Sequence, residues 1–346
     1  MTNLGVRSAL RALASDRRYN RLRDSSVESI LVLRQTGRHP FYNEHYLDWL
    51  RSKHPAIARR FRLAHLTPLP VRLSGVRLVV PWVQDPLREE YPADFRRAQR
   101  IEDQCRRRGI DVVNPTARLS IAIKSVALPR IAECGVRTAR VIRIDSPEAM
   151  ESLPERLPFP FLVREDYLHT RHPLVIRNAD ELRQLRWNRF SHPIALEFID
   201  VRNPDGLYRK YRYFIVGRYG AARHLVVAAD WCVHAEDRIL SQATLEEELA
   251  YVSNPDPNHE TLERVARALE FDFTCFDYSY DQEGRLVIWE PNPLPVLWGT
   301  FNTPEKHGYQ MPVLDRLYST MTRYYLERAR MEDLAEPLRE SGNGSS

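Results

Sequence analysis

Lysine is nearly missing from this chain. Of 51 basic residues among 346, only Lys53, Lys124, Lys210 and Lys306 are lysine, which leaves 47 arginines (51 − 4). A ratio this lopsided reflects a GC-rich genome more than a nucleic-acid surface, and the 46 acids are interspersed along the chain. The net charge of +5 admits an anionic partner without showing one. Where arginine is the default, each surviving lysine marks a position that arginine did not take over.

Long apolar runs are missing too. No stretch approaches eighteen apolar residues, so no membrane-spanning helix is expected. The polar, basic N-terminus has no apolar core of a signal peptide. Cys105, Cys134, Cys232 and Cys275 are scattered without metal-type spacing, as expected of free thiols in a cytoplasmic protein. Neither GxGxxG nor GxxxxGK[ST] occurs, which argues against a dinucleotide fold and a P-loop. Phosphate, if bound, must be held some other way.

The chain is long enough for two or three domains. Residues 1–30 carry Arg17-Arg18 and Arg21-Leu22-Arg23 at the spacing of a basic helix. Asp16, Asp24 and Glu28 dilute the charge, which favours a solvated helix over a transit peptide or a nucleic-acid arm. The aromatic and histidine-rich residues 31–66 read as one or two helices. A strand at 76–82, helical spacing over 94–108 stopped by Gly109, and a strand at 110–115 form a βαβ unit of a parallel sheet. A helix over 119–134 carries Lys124, and strands follow at 140–144, 161–164, 174–176 and 194–200. A polar loop is expected over 165–173 and a helix over 178–187. The strands 208–217 and 221–227 read as a hairpin, and helices are expected at 244–252, 257–270 and 305–330. Residues 334–346 read as a disordered polar tail.

The chemistry concentrates in one further hairpin. Phe276-Asp277-Tyr278-Ser279-Tyr280 and Leu286-Val287-Ile288-Trp289-Glu290-Pro291-Asn292-Pro293 flank the polar turn Asp281-Gln282-Glu283-Gly284. Glu290 and Asn292 are two apart and project together, and pairing brings Asp277 opposite them. Glu290 directly follows an apolar run, and a buried carboxylate needs a cation or hydrogen-bonding partners. Two carboxylates and an amide oxygen suit magnesium holding a nucleotide's phosphates.

An aspartate strand followed by Glu290-Pro291-Asn292-Pro293 resembles the metal-binding end of the ATP-grasp superfamily. The order of elements over residues 75–325 is similar to its branch of ribosomal-protein glutamate ligases and D-alanine–D-alanine ligases. The resemblance implies an α/β architecture of α+β lobes. Its parts are a helical N-terminal extension (1–72), a small βαβ domain (73–118), a small lobe (119–195), a large lobe with the metal hairpin (196–330) and a tail (331–346). It implies that Asp277, Glu290 and Asn292 bind Mg²⁺ and that Lys124 and Arg164 bind ATP phosphates. Glu197, Phe198 and Ile199 would form the adenine-reading hinge, and Asp205 or Asp200 would hold the ribose. Arg212 and Arg223 would face the γ-phosphate and the acylated substrate. Two departures stand out: Arg164 replaces the family's usual lysine, and the loop 165–173 lacks the glycines that close over phosphates.

The implied activity is ATP-dependent ligation of a carboxylate to an amine through an acyl phosphate, with ADP as a product. The implied partners are a carboxylate substrate and an amino-acid or peptide amine. No membrane or nucleic-acid partner is expected, and a homodimer stays open. His224, beside Arg223, is a candidate base by adjacency alone. The alternatives are a kinase of the same fold and a nucleotide-binding protein without ligase turnover.

Overall fold

The computed structural model describes residues 13–14, 16–17, 19–20, 27–35, 41–83, 87–167, 173–186, 189–295, 308 and 310–340. Two compact units divide the chain. One draws on Met1–Leu119, Val216–Ala221 and Pro293–Ser346, the other on Ser120–Ile215 and Ala222–Asn292.

The first unit is built on β1 (Ser29–Arg34), β2 (Phe61–His65), β3 (Val76–Trp82) and β4 (Asp111–Val112), ordered β2-β1-β3-β4. Every pairing is parallel. Helix α1 (Phe41–Lys53) lies between β1 and β2 in sequence, and α2 (Pro92–Arg107) between β3 and β4. The expected βαβ unit is therefore present, but the segment before it is not purely helical. Residues 31–66 contain β1 and β2 as well as α1. The run Ser-Ile-Leu-Val-Leu-Arg is buried at all six positions, as a parallel strand covered on both faces should be. Periodicity cannot separate so short an apolar run from a buried helical turn.

The C-terminal helix Gln310–Arg328 belongs to this unit. Tyr46 and Thr322 share a hydrogen bond at 2.8 Å, and the Trp49 indole donates to Asp315 at 2.7 Å. The tail also departs from expectation: Glu332–Ala335 and Glu336–Glu340 are helical turns. Met331, Ala335 and Leu338 are buried and supply the apolar anchor. Residues 341–346 lie outside the described residues, as do 168–172 of the expected loop.

The second unit holds two four-stranded sheets. Strands β5 (Val141–Arg143), β6 (Phe161–Glu165), β7 (Leu174–Ile176) and β8 (Pro193–Glu197) form the antiparallel sheet β5-β8-β6-β7. Strands β9 (Tyr208–Val216), β10 (Tyr219–Ala228), β11 (Phe273–Tyr280) and β12 (Leu286–Asn292) form β10-β9-β11-β12. The helix expected over 119–134 is split: a 3₁₀ helix, Thr116–Ala122, precedes α3 (Lys124–Glu133). Ile123 is extended between them, with φ −61° and ψ 131°. Helices α4 (Gln242–Ser253) and α5 (His259–Ala268) match expectation, and a Ser241–Thr244 capping box starts α4.

Gly217 turns β9 into β10 at φ +59°, and a Cβ there would lie 2.3 Å from the Tyr324 ring. Both the backbone and the close approach require glycine. Gly217→Ala is expected to cost about 2 kcal/mol in denaturant unfolding, from left-handed strain plus overpacking.

Candidate active site

The β11–β12 register places Asp277 opposite Glu290 and Cys275 opposite Asn292, so the three oxygen donors share one face. This meets the sequence expectation by an unexpected route. Tyr278 pairs with Ile288, which leaves Trp289 as the extra residue of a β-bulge. The bulge turns Glu290 onto the face of Asp277. The Trp289 indole, donating to Ser279 Oγ at 2.8 Å, fixes it.

Cations meet both carboxylates. Arg212 on β9 forks onto Asp277, Nε to Oδ1 at 2.6 Å and Nη2 to Oδ2 at 2.8 Å. Lys124, the first residue of α3, donates to Glu290. Its helix is anchored by Asp166, which accepts from the Ser125 amide at 3.1 Å and hydroxyl at 2.5 Å. Lys124 is buried, and burial pushes its ammonium below the usual lysine value. Glu290 opposes that fall, and the charge of Arg164 adds to it. Burial likewise works against the Arg212 charge, but Asp277 outweighs it and raises the guanidinium above the ordinary arginine value. Arg223 on β10 is buried. Arg164 on β6 also donates to the Glu165 carbonyl at 3.3 Å.

Among the described residues, no group of three or more His, Cys, Asp or Glu side chains is placed to hold a metal ion. The donor set is two carboxylates and an amide, each carboxylate already balanced by a cation. That composition fits a hard, oxygen-preferring ion such as magnesium, which arrives with oxygens of its own on a phosphate ligand.

The hinge is only partly as expected. Strand β8 stops at Glu197, so Phe198 and Ile199 lie beyond it. The Glu197 carboxylate is engaged by Arg137 at 2.7 Å and by the Arg140 amide at 3.1 Å. Burial would raise its pKa, but these contacts hold it below the ordinary glutamate value. The carboxylate expected to accept from adenine is thus held in an internal ion pair. Asp205 accepts from Arg209 at 2.8 Å, and its side chain stays about half exposed. Asp200 accepts from the Arg202 amide at 2.9 Å and from Gln282. Phe198 lies edge-on to Trp231, ring centres 5.5 Å apart. The two help to line a cavity of about 420 Å³ with Pro160, Val175 and Arg177. Ile199 packs against the adjoining cluster of Val201, Tyr208 and Val226.

Sequence reasoning missed two residues. Trp231 gave no signal, since it sits in a connection after β10. Lys210 did carry one, as one of four lysines in an arginine-rich chain. Its ammonium donates to the Val233 carbonyl and lies 3.9 Å from Asp277 Oδ2.

His224 shares this face. Val226 and Ala228 pack with Tyr208 and Val287, and alternation along β10 carries His224 to the same side. Burial, then the charges of Arg212, Arg223, Arg238 and Lys210, push its ring well below the usual histidine value. Above pH 6.5 the ring is neutral in both folded and unfolded chains. As pH falls below that, the unfolded chain takes up a proton that the folded one refuses, so stability drops. His224→Gln is expected to remove up to about 1.4 kcal/mol per pH unit from the slope of stability between pH 6.5 and 5. Urea midpoints at several pH values for both proteins check this.

Solved structures share this architecture. The ATP-grasp ligase PsnB, complexed with a phosphomimetic variant of minimal precursor, Mg and ADP, is 12% identical at a TM-score of 0.55. The match covers 87% of this chain and 98% of that one. The chain has the ATP-grasp fold. The macrocyclase MdnC from Microcystis aeruginosa, bound with precursor peptide MdnA, gives 12% identity and a TM-score of 0.54, over 86% of this chain and 99% of that one. A RimK domain ATP-grasp protein from Sphaerobacter thermophilus gives 12% and 0.51, over 86% and 99%. No protein-family model and no curated protein matches. Within the ATP-grasp fold of this chain, all four cysteines are free thiols, and no helix among the described residues is long and apolar enough to cross a membrane.

Proposed function

We propose that the protein is an ATP-dependent, ADP-forming ligase that joins a carboxylate to an amine through an acyl phosphate. One observation carries this: Asp277 and Glu290 face each other with Arg212 and Lys124 on them, and Phe198 and Trp231 of the same unit line an apolar cavity. Such a cavity suits a planar base, and the charged cluster suits its phosphates. Asp277, Glu290 and Asn292 would hold Mg²⁺, which would supply charge neutralisation on the phosphates. Lys124 and Arg164 would position the phosphates. Arg212 would stabilise charge on the transferring group; Arg223, which alternation along β10 turns away from the face of His224, has no part in this cluster. Catalysis of this kind rests on positioning and electrostatics. We keep the expected division into small and large lobes around residue 195 as part of the proposal. PsnB and MdnC were solved with precursor peptides, and we extend that to a peptide as carrier of the acid or the amine here.

A second reading, nucleotide binding without turnover, draws on Arg164 and on the cations that already hold both carboxylates. Thermal unfolding with ATP and Mg²⁺ tests what the two share. Ligand at a hundred times its Kd adds about 2.7 kcal/mol, a shift of several degrees. ADP release that requires both an acid and an amine selects the ligase. Binding without ADP selects the second reading, and no shift at millimolar ATP rejects both.

A further inference from the structure

The surviving lysine at position 210 has no role in the proposal above beyond proximity. We infer that Lys210 is a positioning residue for the nucleotide: it fastens the connection carrying Trp231 to the Asp277 end of the site and so holds the base cavity in register with the phosphate end. This rests on the nucleotide reading of the site.

The argument is geometric. Lys210 lies on β9 two residues before Arg212, so both face Asp277. Its ammonium is 3.9 Å from Asp277 Oδ2, too far for a hydrogen bond but close enough for charge attraction. Its hydrogen bond goes instead to the Val233 carbonyl. Val233 is two residues beyond Trp231, whose ring meets Phe198 edge-on, both lining the cavity. Other contacts hold the connection as well: Val233 is buried in the cluster that Trp231 packs against, Arg238 donates to Glu248 at 2.5 Å, the Cys232 amide donates to Asp230 at 2.9 Å, Cys232 Sγ lies 3.4 Å from His234 Nε2, and the Ile239 amide donates to Val227 at 2.9 Å. Of these contacts, Lys210 alone is also next to the carboxylate pair. The side chain is about four-fifths buried, its ammonium directed by Val233 on one side and Asp277 on the other.

The residue type follows from the task. A compact ammonium on a flexible stem serves a carbonyl and a carboxylate that lie in different directions, whereas a planar guanidinium demands parallel acceptors. Arg212, two residues on, shows the contrast, since it forks onto both oxygens of one carboxylate. An arginine-rich chain that keeps lysine here is consistent with that geometry. A lysine serving only as positive charge near phosphate would have no need of the Val233 carbonyl.

The test compares two probes that differ in the base. Kd values for Mg²⁺–AMPPNP and Mg²⁺–tripolyphosphate are measured by calorimetry for wild type and Lys210→Met. Loosening the Trp231 wall is expected to weaken AMPPNP about tenfold, the scale of one lost charge-assisted hydrogen bond, and tripolyphosphate by no more than about twofold. Equal weakening of both probes overturns the inference, because Lys210 would then act only as a phosphate charge. No change in either also overturns it. Wild type that binds neither probe removes the nucleotide reading and the inference together, an outcome distinct from either of those. Unfolding of the ligand-free proteins is recorded in parallel. If Lys210→Met does not stay folded, Lys210→Arg serves instead. It keeps the charge but not the geometry, so it is expected to lose AMPPNP affinity selectively, and unchanged AMPPNP binding in that variant overturns the inference.

Discussion

Under the proposed function, Glu290→Gln is expected to abolish the magnesium-dependent part of nucleotide stabilisation and to lower turnover by about 100- to 1000-fold, the scale of removing one preorganised electrostatic group. Two effects combine. The variant removes one of the two carboxylates that would hold the ion. It also strips Lys124 of its counter-charge, and Lys124 is buried. Glu290 opposes the burial that already depresses that ammonium. Without it, the lysine loses the partner that opposes this fall and that holds its ammonium in place. At ATP near a hundred times the wild-type Kd, the loss amounts to about 2.7 kcal/mol of ligand-induced stability. Thermal unfolding with ATP, with and without Mg²⁺, reads it. A wild-type-sized magnesium effect in the variant would show that the ion is held elsewhere.

Arg212→Met is expected to have the largest effect on the ligand-free protein. It leaves Asp277, whose side chain is only 6% exposed, without the fork that satisfies both its oxygens. Stranding one member of a buried pair costs about 3–5 kcal/mol. Lys210, at 3.9 Å, partly compensates, which places the expected loss near 3 kcal/mol. The double variant Arg212→Met with Asp277→Asn leaves no stranded charge and is expected to recover more than half of that loss. Urea denaturation of both single variants and the double variant measures the coupling. A double variant as unstable as Arg212→Met would mean that the arginine contributes through packing of its stem rather than through Asp277.

The two effects separate the roles of the cations. Arg212 ties β9 to β11 through Asp277, whereas Lys124 is held by Glu290 and by the Asp166-anchored helix. A polyanionic ligand would draw both toward itself and free the carboxylates for a metal ion. Burial first, and then the charges of four cations, lower the pKa of His224.

Much of this site was legible in the chain, because its signals are local. Asp277, Glu290 and Asn292 sit on strands joined by a short polar turn, so alternation and turn chemistry brought them together. The βαβ unit and helices α4 and α5 follow from apolar period and caps in the same way. Lysine scarcity pointed to Lys124 and, unread, to Lys210. Tertiary structure decided the rest, where partners are far apart in sequence or the local pattern is ambiguous. The bulge at Trp289 sets which way Glu290 faces, and no residue pattern marks it. Arg212 meets Asp277 across 65 residues, and Arg137 takes Glu197 across 60. The latter places the acid expected at the base in an ion pair that the local pattern does not show. The strands β1 and β2 form where helices were expected because parallel neighbours distant in sequence take up their backbone hydrogen bonds. The sequence named the oxygens and the scarce ammoniums; long-range pairing in a low-dielectric interior, where every charge must find an opposite, decided which of them are spent on the fold and which remain for a ligand.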